Sequence, residues 1–324
     1  MPAQPSASDL HVNGLLTDLS VAFVQDASKF VAGQVFPRVT VPKQTDKYAT
    51  YDRGDFLRDE MQLRGDASES AGTGYTVSSD PFHCEVYAIH KDVSDRQRAN
   101  ADSIFQPDRD AVQYLVQKRL IKQDVLFVSK YLTTGVWTGS TTGTDLVVNT
   151  DFTPWDDAAS TPVEDVQNQQ ESIEGQTGLL ANTLVVRRDG WNALKNHPDI
   201  VDRVKHTSDG PVTTGIVARL MDLDRIVIAA AVQNTAQEGL AGSYGYIADN
   251  DALLCYSAPS PSPMQPSAGY IFEWNEIPGI SAAGNTVSSF RMEELKSDRI
   301  ELETAFDMKV VSSVLGAYFN EVTS

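Results

Sequence analysis

The sequence predicts an α+β fold drawn out into a slab rather than rounded into a ball, and three observations predict it. Residues 107–132 run without Gly or Pro after Pro107, and as one helix they would reach roughly 40 Å at about 1.5 Å per residue. Residues 299–310 alternate strictly, with Ile300, Leu302, Thr304, Phe306, Met308 and Val310 on one face and Arg299, Glu301, Glu303, Ala305, Asp307 and Lys309 on the other. That period of two is the mark of a half-buried strand, here about twice the usual length. Between them, residues 180–285 switch between short strand and helix signals, as a compact α/β unit does.

Each segment has its own warrant, taken in chain order. Residues 1–37 open with the polar leader MPAQPSASD and continue into mixed hydrophobics, which suits an extended arm that gains order by lying on another surface. Residues 38–95 lack helical periodicity. Their Thr/Tyr/Val-rich runs at 47–51 and 82–89 read as two strands around a Gly-rich tip, RGDASESAGTG at 64–74. Such a hairpin has little core of its own and is marginal in isolation. In the long helix, Pro107 suits the first helical position, and Asp108 and Asp110 suit the positive end of the helix dipole. Two apolar faces, one through Val112, Leu115, Val116, Leu120 and Phe127 and one through Ile121, Val125, Val128 and Leu132, predict a helix covered on two sides, a central strut.

Residues 136–160 are Gly/Thr-rich and form a connection. Thr161-Pro162-Val163-Glu164 reads as a capping box, with Val163, Val166, Gln170 and Ile173 following at helical spacing until Gly175 and Gly178. A strand is expected at 183–186, a helix opening at Asp189 and stopped by Pro198, a helix at 216–221 and a buried strand at 225–230. Further strands are expected at 244–256 and 270–274, split by the Pro-rich loop APSPSPMQPSAG at 258–269.

Composition narrows the function classes. Over 324 residues, 41% hydrophobic and 22% charged content allow a real core, and a net charge of −18 from 44 acidic and 26 basic residues argues against direct nucleic-acid binding as the main task. Cys84 and Cys255 make no disulfide framework, so a reducing compartment is expected. The first basic residue is Lys29, so the basic head of a secretory leader is not expected. The longest clean apolar run, 226–232, is too short to span a bilayer, and a chain made in a cytoplasm without membrane contact follows as the expectation.

The order of parts resembles the tailed-bacteriophage major capsid family, the Hong Kong 97-type fold. The patches that carry the resemblance are NTLVVRRDGWNALKNHPDIVDRVKHT (182–207), VFPRVTVPKQTDKYATY (35–51) and DRIELETAFDMKVV (298–311). The resemblance implies an N-terminal arm at 1–37 and an E-loop hairpin at 38–95 lying over a neighbour. It implies a peripheral domain at 96–180 with the spine helix 107–132, an axial domain at 181–285, and a return strand of the peripheral domain at 286–324. It also implies pentamers and hexamers in an icosahedral shell assembled in a bacterial cytoplasm around double-stranded DNA, without sequence-specific binding. Its implied partners are a separate scaffolding protein, a portal protein and a decoration protein. An encapsulin-type nanocompartment shell is the alternative within the fold, and an α/β hydrolase-like enzyme the alternative from another class.

No catalytic, cofactor-binding or metal-ligating residue is assigned from the sequence. His11, His83, His90, His197 and His206 make no ligand set at metal spacing. There is no GxSxG elbow, P-loop or GxGxxG fingerprint. The triplets Arg53-Gly54-Asp55 and Arg64-Gly65-Asp66 are read as turn chemistry, and Asp156-Asp157 beside Trp155 is read equally as a cation-binding pair or as a surface loop or helix start. The resemblance raises a Lys–Asn crosslink between neighbours, for which Lys43, Lys47, Asn285 and Asn320 are the residues at hand, but nothing in the sequence pairs them.

Overall fold

Backbone pairing divides the chain between two five-stranded sheets with one long helix reaching both. The computed structural model describes residues 24–101, 105–205, 211–261, 265–275 and 285–324. The polar leader, His11, His206 and the middle of the Pro-rich loop lie outside the described residues.

In chain order, the arm gives way to β1 (Arg38–Val41) and β2 (Thr45–Tyr51), then the one-turn α1 (Arg53–Phe56), β3 (Val77–His83) and β4 (Glu85–Ser94). The expected strand at 82–89 is therefore two, broken at Cys84, because β3 pairs back on β2 while β4 joins a different sheet. Ser94 and Gln97 form a reciprocal capping box at the start of α2 (Asp95–Asn100). The strut follows as α3 (Pro107–Tyr131), 25 residues with Pro at its N-terminus.

After the short β5 (Leu146–Val147) comes α4 (Pro162–Thr177), ended by Gly178 in the left-handed conformation at φ 72°. The capping box expected at 161–164 does not form. Thr161 makes no side-chain cap, and Glu164 pairs instead with Arg203. β6 (Thr183–Arg187), α5 (Arg188–Asn196) and α6 (Pro198–Val204) follow, with the His197 ring accepting the Asp199 N–H at the start of α6. Next are α7 (Thr214–Leu220), β7 (Arg225–Ala229), β8 (Val232–Asn234), β9 (Tyr244–Tyr246) and β10 (Ala252–Cys255). The strand expected over 244–256 is thus split. β9 closes a small hairpin with β8, whereas β10 is fully buried between longer strands. The chain ends through β11 (Gly269–Trp274), β12 (Asn285–Met292), β13 (Ser297–Val310) and β14 (Gly316–Asn320).

β13 is the axis of the first sheet. β12 and β11 pair end to end along one edge, and β4 pairs along the other with Ser297 opposite Ser94 and Phe306 opposite Glu85. β1 joins β11 in parallel. Ile300, Leu302, Phe306 and Met308 are buried as their alternation requires; Ala305, on the opposite face, is buried as well, under the stacked rings of Phe82 and Phe272. α3 covers the first face, packing Ala111 and Leu115 on Val93, Ile300 and Leu302. Its far end enters the main core through Phe127 and Tyr131. The Tyr131 hydroxyl lies 3.0 Å from the Tyr270 carbonyl oxygen and 3.1 Å from that of Lys309.

The second sheet has the order β5-β14-β10-β6-β7. Leu184, Val185, Leu253, Leu254, Ala317 and Phe319 are all solvent-free, so its central strands are covered on both faces and read as continuous apolar runs. Gly316 is needed here, because a Cβ would stand 2.3 Å from the Trp137 ring.

Sheet membership cuts across the boundaries expected from the sequence. β14, expected with the return strand, sits inside the α/β sheet, and β11, expected in the axial block, belongs to the β13 sheet. Both are short apolar strands, and apolar content alone does not say which sheet a strand joins.

Candidate assembly surface

Both thiols and the buried His197 are spent on structure. Cys84 and Cys255 are buried, and burial above all pushes each thiol up to about 12, far from a reactive thiolate. His83 Nδ1 is 2.7 Å from Thr45 Oγ1, and His90 is exposed on β4. His197 is buried, its Nε2 3.1 Å from both Ser160 Oγ and the Asp157 carbonyl oxygen. Among the described residues, no three His, Cys, Asp or Glu converge on a point that could hold a metal ion.

Both RGD triplets are turn elements. The first forms α1, capped by Asp52, and Asp55 accepts the Thr76 N–H at 2.8 Å, which holds its carboxyl below the usual range. In the second, Arg64 donates to the Ser68 carbonyl at 2.6 Å. Asp156 accepts the Ser324 N–H at 3.1 Å and its hydroxyl at 2.6 Å, fastening the end of the described chain. Lys43 pairs loosely with Asp46 at 3.7 Å, Lys47 is exposed on β2, and Asn320 ends β14 on another sheet. Asn285 opens β12, and its side chain lies outside the description.

What remains is surface, and the hairpin β2–β3 is its most unusual part. Its base is anchored by Phe82 stacked on Phe272 at 4.6 Å and by Tyr48 against the same ring at 5.4 Å. Further out, Tyr51, Phe56 and Tyr75 pack on one another with centroids 5.6–6.0 Å apart. Beyond that cluster the described residues are almost all exposed. Met61 is 94% exposed and Leu63 fully so, in a stretch from 61 to 80 where every residue is exposed. An open groove of about 710 Å³ separates hairpin from body, lined by Tyr48, Tyr51 and Phe56 on one side and Leu179, Tyr270 and Leu315 on the other. Apolar surface left open in this way marks an interaction site.

The described part of the arm does the opposite and is clamped to its own subunit. Phe30, Val31, Val35 and Phe36 are buried. The Asp124 carboxylate of α3 accepts the N–H groups of Val31 at 3.1 Å and Ala32 at 2.8 Å. Burial raises the Asp124 pKa to about 6 against the lowering effect of those two bonds. Ser257 and Arg225 both donate to the Val35 carbonyl, at 2.6 and 2.9 Å. Sequence reasoning missed this latch, although Asp124 stood out as the one acid between Ala111 and Tyr131 on an otherwise apolar side of the helix. A second cluster ties the β12–β13 turn to α2 and the start of α3. There Arg98 bridges Asp108 and Asp298, and Arg291 bridges Asp95 and Asp298, holding Asp95 and Asp298 below their usual range.

No protein-family model matches the sequence. The chain is 21% identical over 306 residues to the major capsid protein of Burkholderia phage BcepMu, covering 91% of each. It is 24% identical over 226 residues to that of Pseudomonas phage JBD67, covering 69% of this chain and 70% of the relative. Among solved structures it is similar to a phage-related protein from Bordetella bronchiseptica RB50, with TM-score 0.67, 20% identity and 96% and 97% of the two chains covered. It is similar also to the mature capsid of bacteriophage PhiM1, with TM-score 0.60, 11% identity and 96% and 92% covered. The SrpI encapsulin of Synechococcus elongatus matches at TM-score 0.56, 8% identity and 97% of each chain.

Proposed function

We propose, from the premise that the chain carries the tailed-phage major capsid fold, that it is the major capsid protein of a tailed bacteriophage and builds the icosahedral shell that encloses the genome. The observation that carries this reading is the hairpin, a long excursion fixed at its base by Phe82 and bare at its tip, on a body whose main core contains no residue of that tip. A surface of that kind becomes stable only against a neighbour, and a closed shell of many identical copies supplies one for every subunit.

The division of labour follows. Residues 38–95 are the E-loop that overlies the next subunit. Residues 96–180 with the long return strand form the peripheral domain around α3, and the α/β sheet with its helices forms the axial domain at the five-fold and six-fold centres. The final strand serves the axial sheet although it follows the return strand in sequence. The role is structural rather than catalytic, a reading supported by the likeness to phage capsid proteins. The shell grows in the host cytoplasm with a scaffolding protein and a portal, takes up double-stranded DNA without sequence-specific contacts and can carry a decoration protein. The net charge of −18 suits a wall that does not trap phosphate.

An encapsulin-like compartment is the second reading, favoured only by the likeness to SrpI. Both curated relatives are phage capsid proteins. Light scattering on the purified chain, alone and co-expressed with the adjacent phage assembly genes, tests the proposal. Closed shells are expected; a monomer or dimer under every condition would overturn it.

A further inference from the structure

The acidic balance of the chain is reversed on one surface. From Ala111 to Tyr131 the charged residues of α3 are Lys118, Arg119, Lys122, Asp124 and Lys130, and the single acid, Asp124, is buried under the arm. Lys118 and Lys122 are exposed on one helical ridge with Tyr114, at i, i+4 and i+8. β4 runs alongside. Lys91 and Lys118 hold their ammonium groups 5.4 and 5.3 Å from the Tyr114 ring centre, and Lys122 stands 5.3 Å from that of Tyr87. None of these three lysines has a carboxylate within ion-pair distance among the described residues. Glu85, on the same face of β4, is taken up by the Tyr87 hydroxyl at 2.6 Å.

The same place has an open strand edge. β4 pairs with β13 along one side and with no other strand along its second side, among the described residues. An unpaired edge presents N–H and C=O groups to any extended chain that approaches. Spacing favours such a chain. Four residues of helix advance about 6 Å, and two residues of an extended strand advance about 6.8 Å. Acidic side chains at alternate positions of an added strand would therefore meet Lys118 and Lys122 in step.

We propose that the ridge of Lys91, Lys118 and Lys122 beside the open edge of β4 is the docking site for an acidic, extended segment of a second protein, which adds to β4 as a further strand. Unpaired ammonium groups select a polyanion. The backbone edge then selects polypeptide over DNA, since a duplex has no amide ladder to offer. The proposal rests on the shell reading only for what the partner does, namely guide assembly; the binding itself requires no shell.

The test uses the full-length unassembled chain and two labelled probes, poly-L-glutamate and a 30-base-pair DNA duplex, at about 0.1 M salt. Poly-L-glutamate is expected to bind, and hydrogen exchange of the β4 amides should slow when it does. The triple variant Lys91→Gln/Lys118→Gln/Lys122→Gln should weaken binding at least about tenfold, since charge supplies most of the attraction. The three Lys→Arg changes should preserve binding, and Lys43→Gln/Lys47→Gln on the hairpin should leave it unchanged. Equal binding by the triple Gln variant, with an unaltered melting temperature, would overturn the site. Tighter, lysine-dependent binding of the duplex would overturn the choice of polypeptide, and binding without slowed β4 exchange would overturn strand addition. Failure of the chain to form shells while it still binds poly-L-glutamate would count against the shell reading alone.

Discussion

In the α/β sheet every residue of β10 is buried, whereas in the hairpin tip Met61 and Leu63 stand in solvent, although both stretches carry side chains of the same apolar kind. The difference lies in what covers them. β10 has a strand on each side and helices over the sheet, so its core closes within one chain. The tip is two strands thick at its root, and among the described residues nothing covers Met61 and Leu63 at its end. Apolar content therefore serves folding in the first region and association in the second, and substitutions should separate the two.

The largest effect on folding should come from the sheet. Phe319 is fully buried against Phe152 and Trp155, with centroids 5.3 Å away in each case, and Phe319→Ala should destabilise the subunit by about 3–5 kcal/mol in chemical denaturation. The arm latch should come next. Asp124→Ala leaves two buried N–H groups without their acceptor and should destabilise by about 1–3 kcal/mol, with the arm becoming sensitive to protease. Its pH dependence has a definite sign. The folded pKa of about 6 lies above the ordinary carboxyl value of 3.8, so the folded state binds the proton more tightly. The penalty for burying the charge is present above pH 6, is relieved as pH falls and is gone below the unfolded value. The parent should thus gain on the order of 2 kcal/mol relative to Asp124→Asn between pH 7 and pH 4, measured by denaturation at each pH. The smallest effect should be at the thiols. Cys84 and Cys255 should not react with a thiol reagent in the native subunit and should both react in denaturant, because burial keeps them protonated.

Local signals in the sequence match the structure where one element sets the pattern. The spine helix appears within a residue of its expected end because nothing in it can break a helix, and β13 shows its alternation because one face meets α3. What was not legible depended on partners distant in sequence. Glu164 left its capping role for Arg203, an exchange that local pattern could not show. The choice of sheet for β11 and β14 is set by tertiary pairing. The Asp124 latch joins residues 92 and 93 positions apart. The candidate assembly surface was half legible. The Gly-rich tip and the weak hairpin were visible, but the bare Met61 and Leu63 became apparent only once the rest of the chain was seen to leave them uncovered.

The hairpin tip itself carries the central claim, and deleting residues 53–75 tests it most directly. Tyr51 already pairs with Val77, so the deletion leaves Asp52-Thr76 as a two-residue hairpin loop and keeps the register of β2 and β3. The shortened subunit should still unfold cooperatively, within about 3 kcal/mol of the parent, while negative-stain microscopy shows no closed shells. Normal shells from the shortened chain, or a subunit that no longer folds, would contradict the account.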